Sequence, residues 1–319
     1  MNTALKIAAF VTGVTTVFGA AYGVGQLTGD GAPATRPATA AHGAHTPGAA
    51  PSTTAPGGAE HPPGGLQIAD RGYTLSLENP FATAGTSTEL RFRILGADGR
   101  PVTAYATAHE KELHLIVAPR DLTTFRHLHP VRAADGTWST TVDLPAAGEY
   151  RVFADFTPAG AAEGLTLGAD LHAAGELRPA PLPQTGRTVT VDGYTVTLDG
   201  ELTPGRAGQL RLTVNRDGRP VTDLQPYLGA AGHLVALRAG DLAYLHVHPD
   251  DVPPAGAATA GGPGITFTTT APSSGEYRLF LDFKHEDVVH TAAFTLPAAV
   301  SGAVAPTTPA DHGGAGHQH

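Results

Sequence analysis

Apolar and polar residues alternate in short segments along most of the chain. The clearest of these segments are residues 74–77, 89–94, 137–142 and 150–156. A period of two predicts strands with one buried face, and the intervening Gly, Pro and Asp residues are turn signals spaced as in a β-sandwich. Outside residues 7–29 no segment has a competing helical period. The pattern predicts an all-β fold of the immunoglobulin-like sandwich type.

Sequence blocks of the first half return in the same order in the second half. Gly-Tyr-Thr begins at Gly72 and again at Gly193, and Asp-Gly-Arg-Pro-Val begins at Asp98 and again at Asp217. Several matched blocks in one order indicate an internal duplication. We therefore predict two tandem β-sandwich domains, at residues 66–178 and 184–297, with a proline-rich joint at residues 179–183.

The two ends of the chain have a different composition from the repeats. Residues 1–29 contain Lys6 followed by an uncharged stretch, which exceeds the roughly 20 residues that span a bilayer. The segment predicts a single-pass cell-membrane anchor with both domains outside the cytoplasm. The alternative is a cleaved signal peptide and a secreted protein. Residues 30–65 and the His-containing tail 298–319 are rich in Ala, Pro, Gly and Thr, which predicts disorder.

Charge and composition exclude several classes of function. Lys and Arg number 20 against 29 for Asp and Glu, a net charge of -9 with no basic cluster, which argues against a nucleic-acid partner. The absence of cysteine excludes disulfides and thiolate metal sites, and the single Met, at the initiator position, excludes a thioether site for Cu(I). With 16 histidines, the chain offers imidazole and carboxylate as its metal ligands.

Each repeat carries the entry to a long strand in which a tyrosine follows Gly-Glu. Tyr150 and Tyr277 occupy this position and predict tyrosine corners, in which the hydroxyl caps the preceding loop. Because side chains alternate along a strand, Asp155 and Asp282 are expected on the face opposite these tyrosines. They either face solvent or approach a site at the edge of the sheet.

Histidines recur with one spacing in both repeats. In each copy, one histidine precedes twelve residues and a His-x-His-Pro motif; the residues are His114, His127 and His129, then His233, His246 and His248. In a hairpin this spacing places His114 opposite His129 and His233 opposite His248, with the middle histidine on the same face. Three converging imidazoles in each repeat predict a metal site. The alternative is a set of half-exposed polar residues without a metal.

Imidazole ligands suit Cu(II), Zn and Ni, and three of them leave a position open for water or a fourth group. Candidate fourth ligands or their hydrogen-bond partners are Asp155, Asp282, His109, His172, His285 and His290. Cu(II) is the leading expectation, with Zn or Ni as alternatives.

The strand patterns, the His-Leu-His-Pro and His-Val-His-Pro motifs and the N-terminal segment resemble bacterial extracytoplasmic YtkA-like and CopC-like immunoglobulin-fold proteins. The resemblance implies a β-sandwich and His-based Cu(II) binding at the six repeated histidines. The chain departs from the copper-carrier pattern because it lacks a Met-rich stretch and the N-terminal His ligand of the CopC-type site.

Three functions follow from these observations. The first is a non-catalytic extracytoplasmic protein that binds or buffers a metal ion and passes it to a membrane protein partner. The second is a structural or interaction module of the cell envelope, in which the histidines tune the response to pH. The third, a metal-dependent enzyme, is least favoured because no nucleophile elbow, His-Glu-x-x-His or phosphate-loop motif is present.

Overall fold

The computed structural model describes residues 62–245, 247–250 and 261–299, and these residues form strands, turns and loops without a helix. Accordingly, none of the described residues form a helix long and apolar enough to cross a membrane. The predicted export segment, most of the predicted tether and nearly all of the predicted tail lie outside the described residues.

The first sandwich consists of strands β1 to β11. These are β1 (Ala69–Asp70), β2 (Tyr73–Leu77), β3 (Phe81–Thr83), β4 (Ser87–Leu95), β5 (Tyr105–Ala106), β6 (Leu113–Pro119), β7 (Arg126–Leu128), β8 (Val131–Arg132), β9 (Trp138–Asp143), β10 (Gly148–Pro158) and β11 (Leu165–Ala174). One sheet has the order β1-β2-β4-β9-β8 and the other the order β3-β11-β10-β6-β7, with β5 paired to β10. Strand β3 runs parallel to β11, and the other pairs are antiparallel.

The second sandwich consists of strands β12 to β21. These are β12 (Thr188–Val191), β13 (Tyr194–Gly200), β14 (Ala207–Arg216), β15 (Arg219–Pro220), β16 (His233–Arg238), β17 (Tyr244–Leu245), β18 (Val247–Pro249), β19 (Gly264–Thr270), β20 (Gly275–His285) and β21 (Val288–Ala298). Its sheets have the orders β12-β13-β14-β19-β18 and β17-β16-β20-β21. The predicted all-β fold of two immunoglobulin-like sandwiches is confirmed.

Side chains alternate along β10 and β20, so that one face of each strand lies in the core of its own sandwich and the other face lies outside that core. In β10, Tyr150, Val152 and Phe156 face the core of the first sandwich. Each tyrosine corner forms as predicted: the Tyr150 hydroxyl donates to the carbonyl of Ala146, and the Tyr277 hydroxyl donates to the carbonyl of Ser273, both at 2.9 Å. These bonds fix the start of each long strand, whose opposite face is then free to meet another surface.

That opposite face packs against the other sandwich. Phe153 of β10 and Ile116 of β6 form a mixed apolar cluster with Val235 of β16 and Phe280 of β20. The rings of Phe125 and Phe280 stack with centroids 4.3 Å apart and planes 8° from parallel. Burying each large apolar side chain contributes roughly 1.5–3 kcal/mol, so this cluster holds the outer faces of the two sandwiches together. Strand β6 is consequently buried on both faces.

Candidate metal centre

The hairpin of β6 and β7 brings the first three histidines together. Its antiparallel register pairs Leu115 with Leu128 and Ile116 with His127. One further step along this register sets His114 opposite His129, as the sequence spacing predicts. All three histidines therefore project from the outer face of the sheet, beside the apolar cluster between the sandwiches.

The nitrogen atoms of this triad are close enough to share one ion. One ring nitrogen from each of His114, His127 and His129 lies within 4.8 Å of the others. His114 Nδ1 and His127 Nε2 are 3.1 Å apart. Nitrogens bound to Zn at about 2.0–2.1 Å in a tetrahedral site are separated by roughly 3.3 Å, which is close to the separation of the His114 and His127 nitrogens.

Hydrogen bonds on the far sides of two rings show which of their outer nitrogens carry a proton. His127 Nδ1 donates to Asp282 Oδ2 at 2.9 Å, and His114 Nε2 donates to the carbonyl of Ala108 at 3.1 Å. With its proton on Nε2, a neutral His114 presents the Nδ1 lone pair to His127 Nε2, 3.1 Å away. A third ring nitrogen, His129 Nε2, is buried without a hydrogen-bond partner among the described residues. A cation bound through His129 Nε2 would give this atom the partner that it lacks.

Asp282 belongs to the second sandwich, although the histidine triad belongs to the first. It lies on β20 and is 3% exposed. Its second oxygen, Oδ1, accepts a hydrogen bond from the Thr291 hydroxyl at 2.6 Å. A carboxylate that receives the far N–H of a ligating histidine orients the ring and makes the ligand more basic. The centre is thus assembled across the interface of the two sandwiches.

Burial keeps two rings of the triad, His114 and His129, in the form that binds metal. Burial, together with the neighbouring His127, lowers the pKa of His114 to about 4 and that of His129 to about 3. Both rings are therefore neutral near pH 7, and a neutral imidazole is the form that ligates a metal ion.

The second predicted triad is described only through His233. The His233 ring lies beside the first triad, with its centroid 6.1 Å from the centroids of His114 and of His127. Burial, followed by the nearby histidines, lowers the pKa of His233 to about 3. His246 lies outside the described residues and the side chain of His248 is not described, so a second triad stays a prediction.

Three of the six candidate fourth ligands, Asp282, His109 and Asp155, lie near the triad. Asp282 orients His127, and the His109 ring lies 4.9 Å from His233 and 6.0 Å from His114. Asp155 pairs with His114 in the strand register and accepts a hydrogen bond from the Tyr244 hydroxyl at 3.3 Å.

The other three candidates are engaged elsewhere. His172 pairs with Glu149, His285 bonds Tyr194 and Asp223, and His290 pairs with Asp192. The structure therefore does not bring these three to the triad.

Tyr227 is a neighbour of the centre that sequence reasoning did not find. Its ring centroid lies 6.5 Å from those of His127 and His129, and burial, with the charge of Asp282, raises its pKa to about 12. Tyr227 precedes β16 in an irregular segment, where periodicity gives no signal of its position.

One known protein family matches both halves of the chain. A family model described as Domain of unknown function (DUF8832) matches residues 67–170 and 189–300. The chain belongs to this family. The description names no activity, so the resemblance to copper-associated modules stays a prediction. No curated protein matches the chain.

The solved structures that are similar to this chain include two bacterial proteins. The Escherichia coli adhesin FdeC is 15% identical with a TM-score of 0.24, and the match covers 73% of this chain and 65% of FdeC. Invasin, a bacterial integrin-binding protein, is 12% identical with a TM-score of 0.22, and the match covers 71% of this chain and 39% of invasin.

Proposed function

We propose that this DUF8832 protein binds a divalent metal ion at His114, His127 and His129, and that it acts as a binding or buffering protein rather than an enzyme. The observation that carries the proposal is the convergence of three imidazoles, each with one ring nitrogen within 4.8 Å of the others, and one of these rings has a buried nitrogen, His129 Nε2, without a partner among the described residues. A buried polar atom left unbonded costs about 1–3 kcal/mol, which an ion at this position would recover.

The donor set favours Cu(II), with Zn and Ni as the alternatives. Neutral imidazoles suit all three ions, and in the series of first-row divalent ions Cu(II) binds most tightly to a given nitrogen site. The chain supplies no thiolate, and its sole thioether is Met1. We therefore expect oxidised rather than reduced copper.

The cellular setting of the proposal comes from the predicted N-terminal segment. If residues 1–29 anchor or export the chain, the centre operates outside the cytoplasm, where it can bind ions and pass them to a membrane protein partner. A structural or interaction module of the cell envelope is the alternative, and it requires no metal.

The test is a titration of the metal-free protein with Cu(II), Zn and Ni, followed by calorimetry and, for Cu(II), by electron paramagnetic resonance. We expect a tight site with nitrogen ligation that is lost in His114→Ala and in His127→Ala. A matched control replaces the tail histidines His312, His317 and His319 with Ala and should retain that site.

Tight uptake that vanishes in the tail variant but persists in His114→Ala would overturn the proposal. Absence of any tight site would also overturn it and would leave the envelope-module alternative. A second tight site that disappears in His248→Ala would support the second triad predicted from the sequence.

A further inference from the structure

A cavity of about 250 Å³ opens beside the candidate metal centre. Two triad histidines, His114 and His127, line it, and residues of both sandwiches complete its wall, among them Lys111, Asp155 and His233. The cavity therefore lies against the centre on the side of His114 and His127, and a metal held by three imidazoles keeps a further position open.

Three ionisable side chains of opposite sign, Lys111, Glu112 and Asp155, lie in this wall. Glu112 is engaged by Arg132 through two contacts at 3.0 and 3.1 Å, and Asp155 accepts a hydrogen bond from Tyr244. Lys111 has no ion-pair partner among the described residues. A divalent ion on the three histidines would add positive charge next to this ammonium group.

A tight turn ties Lys111 to the metal centre. The backbone N–H groups of Ala108 and Lys111 donate to each other's carbonyls at 2.9 and 3.0 Å, and the intervening His109 and Glu110 have positive φ angles of 49° and 63°. The Ala108 carbonyl also accepts the bond from His114 Nε2. One short segment therefore positions both a ligand and the neighbouring cation.

We infer that this cavity is a binding chamber for a small anion, a carboxylate or a bicarbonate, which occupies the open position of the metal with Lys111 as its countercharge. The inference rests on the proposed metal site. A desolvated cationic centre attracts an anion far more strongly than the same charges do in water.

The volume of the chamber limits the size of the anion. Ligand pockets for drug-sized molecules measure about 300–1,000 Å³, and this cavity lies below that range. Since one water molecule occupies about 30 Å³ of liquid, the chamber has room for an anion of a few heavy atoms together with some water.

The experiment uses the full chain loaded with Cu(II), whose visible and electron paramagnetic resonance spectra report the ligands of the ion. Azide serves as the spectroscopic probe, acetate and bicarbonate compete with it, and imidazole serves as a neutral ligand for comparison. Binding of Cu(II) is measured first, so that loss of the metal site is recognised before any anion is added.

We expect azide to change the Cu(II) spectrum, acetate or bicarbonate to reverse that change, and Lys111→Gln to weaken anion binding by about fivefold or more. The matched control is Lys284→Gln, which removes a lysine that pairs with Asp287 outside the chamber and should leave anion affinity unchanged.

If Cu(II) binds but no anion changes its spectrum, the inference is overturned and the proposed metal site is retained. Equal anion affinities in the two lysine variants would overturn the role of Lys111. Failure to bind Cu(II) at all would instead refute the proposed function.

A second variant tests the chamber without changing its charge. Thr157 lies in the cavity wall, and Thr157→Trp is expected to fill part of the space. Acetate should then lose more affinity than azide, because the larger anion needs more room. Unchanged affinity for both anions would place the anion outside this cavity.

Discussion

His127 Nδ1 and Asp282 Oδ2 lie 2.9 Å apart, and both side chains are nearly buried, at 5% and 4% exposure. They are separated by 155 positions in the sequence and belong to different sandwiches. This bond makes the geometry of the first sandwich's histidine triad dependent on the second sandwich. The chemistry of the candidate centre and the packing of the two domains are therefore linked.

Replacing Asp282 tests this link directly. Asp282→Asn keeps the size of the side chain but removes the carboxylate that orients His127, and changes of this kind typically weaken metal binding by about 10–100-fold. We expect a loss of Cu(II) affinity in that range in a competition titration. Asp170→Asn, which alters an exposed partner of Arg151, is the control and should bind normally. Wild-type affinity in Asp282→Asn would contradict the orienting role.

The stability of the metal-free protein should depend on pH. The pKa values of His114 and His129 are lowered to about 4 and about 3 in the folded protein, against about 6.5 in the unfolded chain. Between these pH values the unfolded state binds more protons than the folded state. The contribution of the two histidines to the free energy of unfolding is therefore fully present above about pH 6.5 and decreases as the pH falls toward 4. Each histidine contributes a slope of up to about 1.4 kcal/mol per pH unit.

Urea unfolding of the metal-free chain at pH 7.5 and at pH 5 measures this dependence. The free energy of unfolding should be lower at pH 5, and the difference should shrink in His129→Gln, which cannot take up a proton. Equal values at the two pH settings would mean that the buried histidines are not neutral in the folded state.

Several parts of this arrangement are readable from the sequence. The twelve-residue spacing to His-x-His predicts the register of His114 and His129. Strand alternation predicts that Asp282 lies on the face of its strand opposite to that of Tyr277. The sequence does not predict which surface packs against this outer face of the sheet. Alternation indicates that a face is apolar, but it does not indicate which other part of the chain covers it. Strand β6 did carry a signal: the uninterrupted apolar run from Leu115 to Ala118 is typical of a strand buried on both sides.

The apolar cluster between the sandwiches should stabilise the chain substantially. Phe280 is 2% exposed and stacks on Phe125. Truncation of such a buried ring costs about 3–5 kcal/mol, and we expect Phe280→Ala to lose stability in that range by urea unfolding. Phe81→Ala removes a ring that is 65% exposed and should change stability by less than about 0.5 kcal/mol. Similar stabilities for the two variants would show that the interface contributes little.

Metal binding should also protect a sandwich that supplies none of the triad. Because the docked arrangement holds His127 through Asp282, an ion that binds this arrangement stabilises it, by about 2.7 kcal/mol at a concentration 100 times its dissociation constant. Hydrogen exchange of the amides in β16 and β20 should slow on addition of Cu(II). In Leu237→Asn, which puts a polar group at the buried interface, this protection should diminish, whereas Val289→Asn at an exposed position of the same sheet should preserve it. Protection confined to β6 and β7 would mean that the metal is bound without coupling to the second sandwich.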